Sequence, residues 1–190
     1  KILANQITVF LQDALGAFVD RGWLVLGICN GFQALVKTGI LPGFSSPWRV
    51  EATLTSNDSG RFEARWVRLE APGSPCVFTR GIRHLELPVA HGEGKFVPAD
   101  AGVRARIREG NLVALRYASA GGGEPCYPED PNGSVDGIAG LCDPTGRVLG
   151  LMPHPERFVR ANQHPAWTRG GAAGPGEGLQ VFANAVDSMR

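Results

Sequence analysis

Charge imbalance is almost absent from this sequence: 19 lysines and arginines face 18 aspartates and glutamates, a formal net charge of +1 over 190 residues. Without a basic stripe or a basic amphipathic segment, the chain lacks the electrostatic footprint of a protein that binds nucleic acid or a membrane surface. A small molecule or another protein is the expected partner. Cysteine is sparse and scattered. Cys29, Cys76, Cys126 and Cys142 include no C-x-x-C pair, which argues against a zinc site and gives no disulfide framework. No apolar run is read as approaching a membrane span and no leader is read ahead of the first helix, so a cytoplasmic protein is expected. Neither an internal repeat nor a domain boundary is evident. Residues 1–190 read as one domain, and 43% hydrophobic residues are enough to bury a sizeable core.

What the sequence does have is an apolar run, Leu24-Val-Leu-Gly-Ile28, that passes through Cys29-Asn30-Gly31 into an apolar helical pattern. A strand that turns sharply into a helix holds its central side chain out on a strained corner, and flanking glycines let the neighbouring backbones approach: a nucleophile elbow. With Cys29 at the corner, unpaired N–H groups of the helix N-terminus are expected to favour thiolate. The plainer alternative is a buried cysteine with a packing role.

Ahead of the elbow, Ile7, Phe10, Leu11, Leu15, Phe18 and Val19 recur at helical spacing, closed by Asp20-Arg21-Gly22. Such a helix ordinarily crosses over between parallel strands. The chain opens at Lys1, not Met, so a fragment lacking its own N-terminal strands is expected. Downstream, strand character is read at 50–55, 62–69, 76–79, 85–90 and 111–118. A polar loop is read at 121–134 and a hairpin across Asp143-Pro144-Thr145-Gly146 joins strands 135–142 and 147–152. A loop at 168–178 and a closing helix marked by Leu179, Phe182, Ala183 and Val186 finish the chain.

A catalytic thiol needs a base, and two of the four histidines follow strands with a carboxylate close behind: His91-Gly92-Glu93 and His154-Pro155-Glu156. Both would open on the rim where α/β sheets place ligands. Pro153 and Pro155 restrict the backbone around His154, and Glu156, two residues on in an extended segment, would reach the distal ring nitrogen. His91 lies beside Gly92 and Gly94, which suit close approach of a ligand better than a rigid base. Spacing alone leaves both open, along with a hydrogen-bonded role for either without chemistry. His84 and His164 read as surface or packing residues.

Gly27-Ile-Cys-Asn-Gly-Phe-Gln-Ala-Leu35, Gly39-Ile-Leu-Pro-Gly43, Ala90-His-Gly-Glu-Gly-Lys-Phe96, Pro131-Asn-Gly-Ser134 and Gly150-Leu-Met-Pro-His-Pro-Glu-Arg157 together resemble the class I, triad-type glutamine amidotransferases. Within them, the blocks resemble the PurQ-type glutaminase of phosphoribosylformylglycinamidine synthase. The similar blocks run in the family's order along the whole chain, and jointly they are far more specific than any one alone. The resemblance implies an α/β, flavodoxin-like fold: three layers around an open, mostly parallel sheet, here without its first two strands.

It further implies Cys29 as nucleophile, His154 as general base and acid, and Glu156 as its orienting carboxylate. Asn30 would supply an oxyanion donor, and Gln33, His91 and Gly92 would lie against glutamine. The other oxyanion donor belongs to a glycine-rich loop among the strands the chain does not include. The implied reaction releases glutamate and ammonia through a cysteinyl thioester. Ammonia would pass to a synthetase that uses ATP and Mg to convert formylglycinamide ribonucleotide to the amidine in purine synthesis. This chain would need neither metal nor redox cofactor. Two rivals are a triad amidotransferase serving another synthetase, and a catalytically silent scaffold.

Overall fold

The computed structural model describes residues 2–45, 48–169 and 174–190. Lys1, and the middle of the loop expected at 168–178, lie outside the described residues. Helices α1 (Ile2–Gln6) and α2 (Gln12–Asp20), joined by a π turn over Ile7–Leu11, lead into strand β1 (Val25–Ile28) and helix α3 (Asn30–Lys37). Then come β2 (Ala52–Thr55), β3 (Glu63–Glu70), β4 (His84–His91), β5 (Lys95–Pro98), helix α4 (Ala101–Glu109), β6 (Val113–Tyr117), β7 (Ile138–Cys142), β8 (Val148–Leu151) and helix α5 (Leu179–Asp187).

Six strands form one sheet in the order β1-β8-β7-β6-β3-β4, and β2 pairs with β5 apart from it. The α/β fold and the strand-to-helix elbow are those expected, but the expectation of a mostly parallel sheet is corrected. Only β1 and β8 pair in parallel, and the sheet's other neighbours run antiparallel. For β7 and β8 the cause is connection length: a parallel pair needs a crossover of a dozen or more residues, whereas the turn after Cys142 leaves room only for a hairpin. Asp143 builds that turn. Its Oδ2 accepts from the Thr145 N–H and hydroxyl at 3.1 and 2.6 Å, and its Oδ1 from the Arg147 and Val148 N–H groups at 3.0 and 2.9 Å.

Helix α3 lies tight on β1 and β8 because two glycines, register partners in the parallel pair, leave room for it. A Cβ on Gly27 would sit 2.5 Å from a Leu35 methyl and 2.8 Å from the Gly31 backbone, and one on Gly150 would sit 2.0 Å from the Phe32 ring. Gly31 itself faces open space, so of the two elbow glycines only Gly27 is required by packing. Phe32 is fully buried and stacks on Phe96 at 6.2 Å between ring centroids.

Three local expectations change. Residues 76–79, read as a strand, contain a 3-10 turn over Val77–Thr79; a four-residue apolar run does not distinguish the two by periodicity. Helix α4, capped by Asp100 accepting from the Val103 N–H at 2.8 Å, and strand β5 were not anticipated. The first helix does not bury the face its spacing defines: Ile2, Val9, Phe10 and Leu11 are exposed, and only Leu15 and Val19 of the expected set pack against the core. The stretch Ile2–Asp20 is also long and apolar enough to cross a membrane, with mean hydropathy 1.4 over an 18-residue window, which corrects the reading that no run approaches a span. Core helices and signal sequences share that length and composition, so it assigns no membrane.

Candidate active site

Parallel pairing of β1 with β8 places Ile28 beside Leu151, so the residues that follow both strands emerge on one rim of the sheet. Cys29 extends the ladder by one bond, its N–H donating to the Leu151 carbonyl at 2.8 Å, while its own carbonyl accepts from the Gln33 N–H at 3.1 Å to begin α3. Serving as ladder end and helix cap together forces φ 51°, ψ −104° on a residue with a side chain. Strain of this kind costs on the order of 1–3 kcal/mol and persists only where its surroundings fix it; here they are the ladder bond, the helix and the packing at Gly27.

His154 emerges three residues beyond Leu151. Its backbone N–H donates to the Pro88 carbonyl at 2.8 Å, and the Cys29 thiol lies 3.8 Å from the Ala90 carbonyl. Carbonyls two residues apart on a strand point the same way, about 7 Å apart. One edge of β4 therefore holds the cysteine and the histidine side by side. Because β4 and β1 are the two ends of the strand order, the sheet must curl to bring them together.

The buried His154 ring has Nδ1 at 2.6 Å from Glu156 Oε1, which fixes the proton on Nδ1 and leaves Nε2 as the acceptor. Nε2 is buried without a hydrogen-bond partner among the described residues. Glu156 gets there differently from the expectation: Pro155–Arg157 is a 3-10 turn, not an extended segment. That turn is clamped from behind by Gly178, where a Cβ would sit 2.2 Å from the Pro155 carbonyl and whose N–H donates to the Phe158 carbonyl at 2.8 Å. Arg157 Nε lies 3.7 Å from Glu156 Oε1.

Burial pushes the Cys29 thiol above its ordinary range. The neighbouring Asn30 N–H and the Arg157 charge pull it back, and Glu156 pushes it further up. The expected bias toward thiolate is thus corrected: in this half-buried setting desolvation outweighs the helix terminus. Ionising the sulfur requires a proton acceptor beside it.

His91 ends β4 and is 3% exposed. Its Nδ1 lies 3.1 Å from Asn57 Oδ1, which also accepts from the Gly94 N–H at 3.0 Å, while Asn57 Nδ2 donates to the carbonyls of Arg61 and His91. Asn57 is thereby oriented with its oxygen toward the ring, and Nδ1 carries the hydrogen. Burial, and then the proximity of His154, push His91 down to about 4, so it is neutral near pH 7. Gly94 covers the ring so closely that a Cβ there would sit 2.4 Å from His91 Cε1; Gly92 has space around it.

Gln33, on α3, donates to the Glu93 carbonyl at 2.6 Å. Asn30, Gln33 and Glu93 line a cavity of about 250 Å³ closed by Leu3, Ala4 and Lys37. Asn30 and Gln33 are thus brought together beside the cysteine, whereas His91 and Gly92 lie behind the rim in the Asn57 tether. Sequence reasoning missed Asn57, and it missed Tyr117, whose buried hydroxyl accepts from Asn132 Nδ2 at 2.9 Å while Asn132 Oδ1 accepts from the Ser134 hydroxyl at 2.7 Å. Asn57 lies between the segments read as strands 50–55 and 62–69, and Tyr117 within the segment read as the strand 111–118, neither with a motif to mark it. Among the described residues no cluster of three or more His, Cys, Asp or Glu side chains is arranged to hold a metal ion.

An α/β sheet with a cysteine on a strained elbow and a histidine–carboxylate pair on the same rim defines the class of protein: nucleophile-elbow proteins with a thiol at the corner. The family model of the CobB/CobQ-like glutamine amidotransferase domain matches residues 1–188, and the chain belongs to that family. Among its relatives is the phosphoribosylformylglycinamidine synthase subunit PurQ of Dehalococcoides mccartyi, 49% identical over 191 residues, covering 100% of this chain and 73% of the relative. The subunit of the same name from Methanococcus maripaludis is 40% identical over 200 residues, covering 97% of this chain and 72% of its own length. Among solved structures, PurLQS from Thermotoga maritima superposes with a TM-score of 0.69 at 29% identity, over 95% of this chain and 68% of that one.

Proposed function

We propose that residues 1–190 form one glutaminase domain that hydrolyses the side-chain amide of L-glutamine, with Cys29 as nucleophile, His154 as general base and acid, and Glu156 holding the imidazole. The observation that supports this reading is the shared rim: β1 and β8 pair in parallel register, so Cys29 and His154 follow them on the same side, and His154 has a carboxylate on Nδ1 and an Nε2 without a hydrogen-bond partner among the described residues.

His154 Nε2 takes the thiol proton, and the thiolate attacks the glutamine side-chain carbonyl. The Asn30 N–H, next after the nucleophile at the start of α3, would stabilise the oxyanion. Collapse of the tetrahedral intermediate expels ammonia, which takes the proton back from His154 and leaves a glutamyl thioester. His154 then removes a proton from water, hydroxide attacks the thioester, and the returning proton restores the thiol as glutamate departs. Glutamine would enter by the cavity that Asn30, Gln33 and Glu93 line, while Asn57 holds the His91–Gly94 loop in place behind it. None of these steps calls on a metal or redox cofactor.

The relatives' printed names, phosphoribosylformylglycinamidine synthase subunits, and the PurLQS assembly support the destination of the ammonia. In this reading the chain docks on a synthetase that uses ATP and Mg to aminate formylglycinamide ribonucleotide in purine biosynthesis. The test is glutamate release by the chain together with that synthetase. Cys29→Ser is expected to lower turnover by about 10³-fold or more with the complex intact; unchanged turnover would refute the assignment.

A further inference from the structure

Two cysteines that this chemistry does not use, Cys76 and Cys142, are buried together, 2% and 0% exposed. Cys142 ends β7 opposite Leu149, at the end of β8 away from His154. The hairpin turn that follows it crosses the backbone around Cys76: the Val77 N–H donates to the Gly146 carbonyl at 2.9 Å, and a Cβ on Gly146 would lie 2.1 Å from the Pro75 carbonyl and 3.1 Å from the Cys76 nitrogen. The two segments are therefore held against each other, with the Cys76 and Cys142 side chains as neighbours.

Their surroundings differ in a way that assigns roles. Cys76 heads the 3-10 turn Val77–Thr79, where the Thr79 N–H and hydroxyl donate to the Cys76 carbonyl at 3.3 and 3.5 Å. A cavity of about 210 Å³, lined by Ser74, Cys76, Thr79 and Ile82 among others, opens beside it, enough for a peroxide to enter. Cys142 does not line that cavity. We propose that this pair is a peroxide-sensitive dithiol, Cys76 attacking and Cys142 resolving, which closes to a disulfide. The Cys76 sulfur attacks one peroxide oxygen, the O–O bond breaks, and Cys76 sulfenic acid and water form. The Cys142 sulfur then attacks Cys76 Sγ, the S–O bond breaks, and the departing hydroxide takes the Cys142 proton as a second water. Two thiols and one hydrogen peroxide thus become one disulfide and two waters.

The neighbouring Cys142 thiol, set against burial, draws the Cys76 thiol below its ordinary range, while the Cys76 sulfur beside it, and then burial, push Cys142 up. That ordering matches attacker and resolver. The disulfide would tie the β7–β8 hairpin to the turn on which Asn184 of α5 docks through the Phe78 and Arg80 carbonyls.

The experiment treats the folded chain with one equivalent of hydrogen peroxide, alkylates remaining thiols after denaturation, and maps the peptides. The expected result is a Cys76–Cys142 cross-link reversed by dithiothreitol, and, in Cys142→Ser, a Cys76 sulfenic acid trapped by dimedone. Recovery of Cys76 and Cys142 fully alkylated while Cys29 or Cys126 is oxidised would overturn the proposal, as would a Cys76 unreactive toward dimedone in Cys142→Ser.

Discussion

At the scale of single residues, the site separates two histidines that follow strands in similar sequence surroundings. Both rings are buried with Nε2 lacking a hydrogen-bond partner among the described residues; what differs is the group on Nδ1, an amide oxygen of Asn57 for His91 and the Glu156 carboxylate for His154. Replacing Glu156 by Gln keeps the shape but removes the charge that stabilises an imidazolium. Turnover is expected to fall about 10²-fold with little change in KM, as steady-state glutamate release would record; a change confined to KM would place Glu156 on substrate instead. His91 carries a stability consequence. Its folded value of about 4 lies below the unfolded value near 6.5, so between those limits the unfolded chain binds a proton that the folded chain does not. Stability is expected to be full above about pH 6.5, to decline as pH falls toward 4, and then to level off, a loss on the order of 3 kcal/mol at most. Urea melts across that range should show it, and His91→Asn should flatten the decline.

At the scale of elements, the elbow works because a helix lies almost in contact with two strands. Gly150→Ala would drive a methyl group into the Phe32 ring and is expected to cost about 1–3 kcal/mol. Gly31→Ala meets open space and is expected to stay within about 0.5 kcal/mol; denaturant midpoints with unchanged slopes would distinguish them. This contrast also marks what the sequence made legible. Gly-x-Cys-x-Gly announces a turn but does not say which glycine is sterically required, and Gly150, as demanding as Gly27, sits in a strand distant in sequence. The Asp143–Gly146 hairpin was legible because its chemistry is local. Strand direction was not, since the mostly parallel sheet was what the resemblance implied, while β3, β4, β6 and β7 follow connections and registers that only tertiary packing decides. The pairing of His154 with Glu156 was legible from spacing, though the turn that achieves it is tighter than an extended segment.

At the scale of the whole molecule, the sheet's curl joins residues from distant parts of the chain: Cys29 after β1, Pro88 and Ala90 on β4, and His154 after β8. The family likeness reaches across residues 1–188, so the arrangement belongs to the domain as a unit. If the chain acts as the ammonia source of a synthetase, free glutaminase activity would waste glutamine, and coupling between the two sites is expected. Adding the synthetase should raise glutamate release, measured at saturating glutamine; equal rates with and without it would argue against coupling. The claim beneath all of this is that the sulfur of Cys29 and the imidazole of His154 act on one proton. It is tested most directly by labelling the chain, in complex with its synthetase, with a glutamine-like diazo-ketone and mapping the modified peptide. The account predicts modification at Cys29 that is lost in His154→Ala; an unlabelled Cys29, or labelling that persists undiminished without His154, would contradict it.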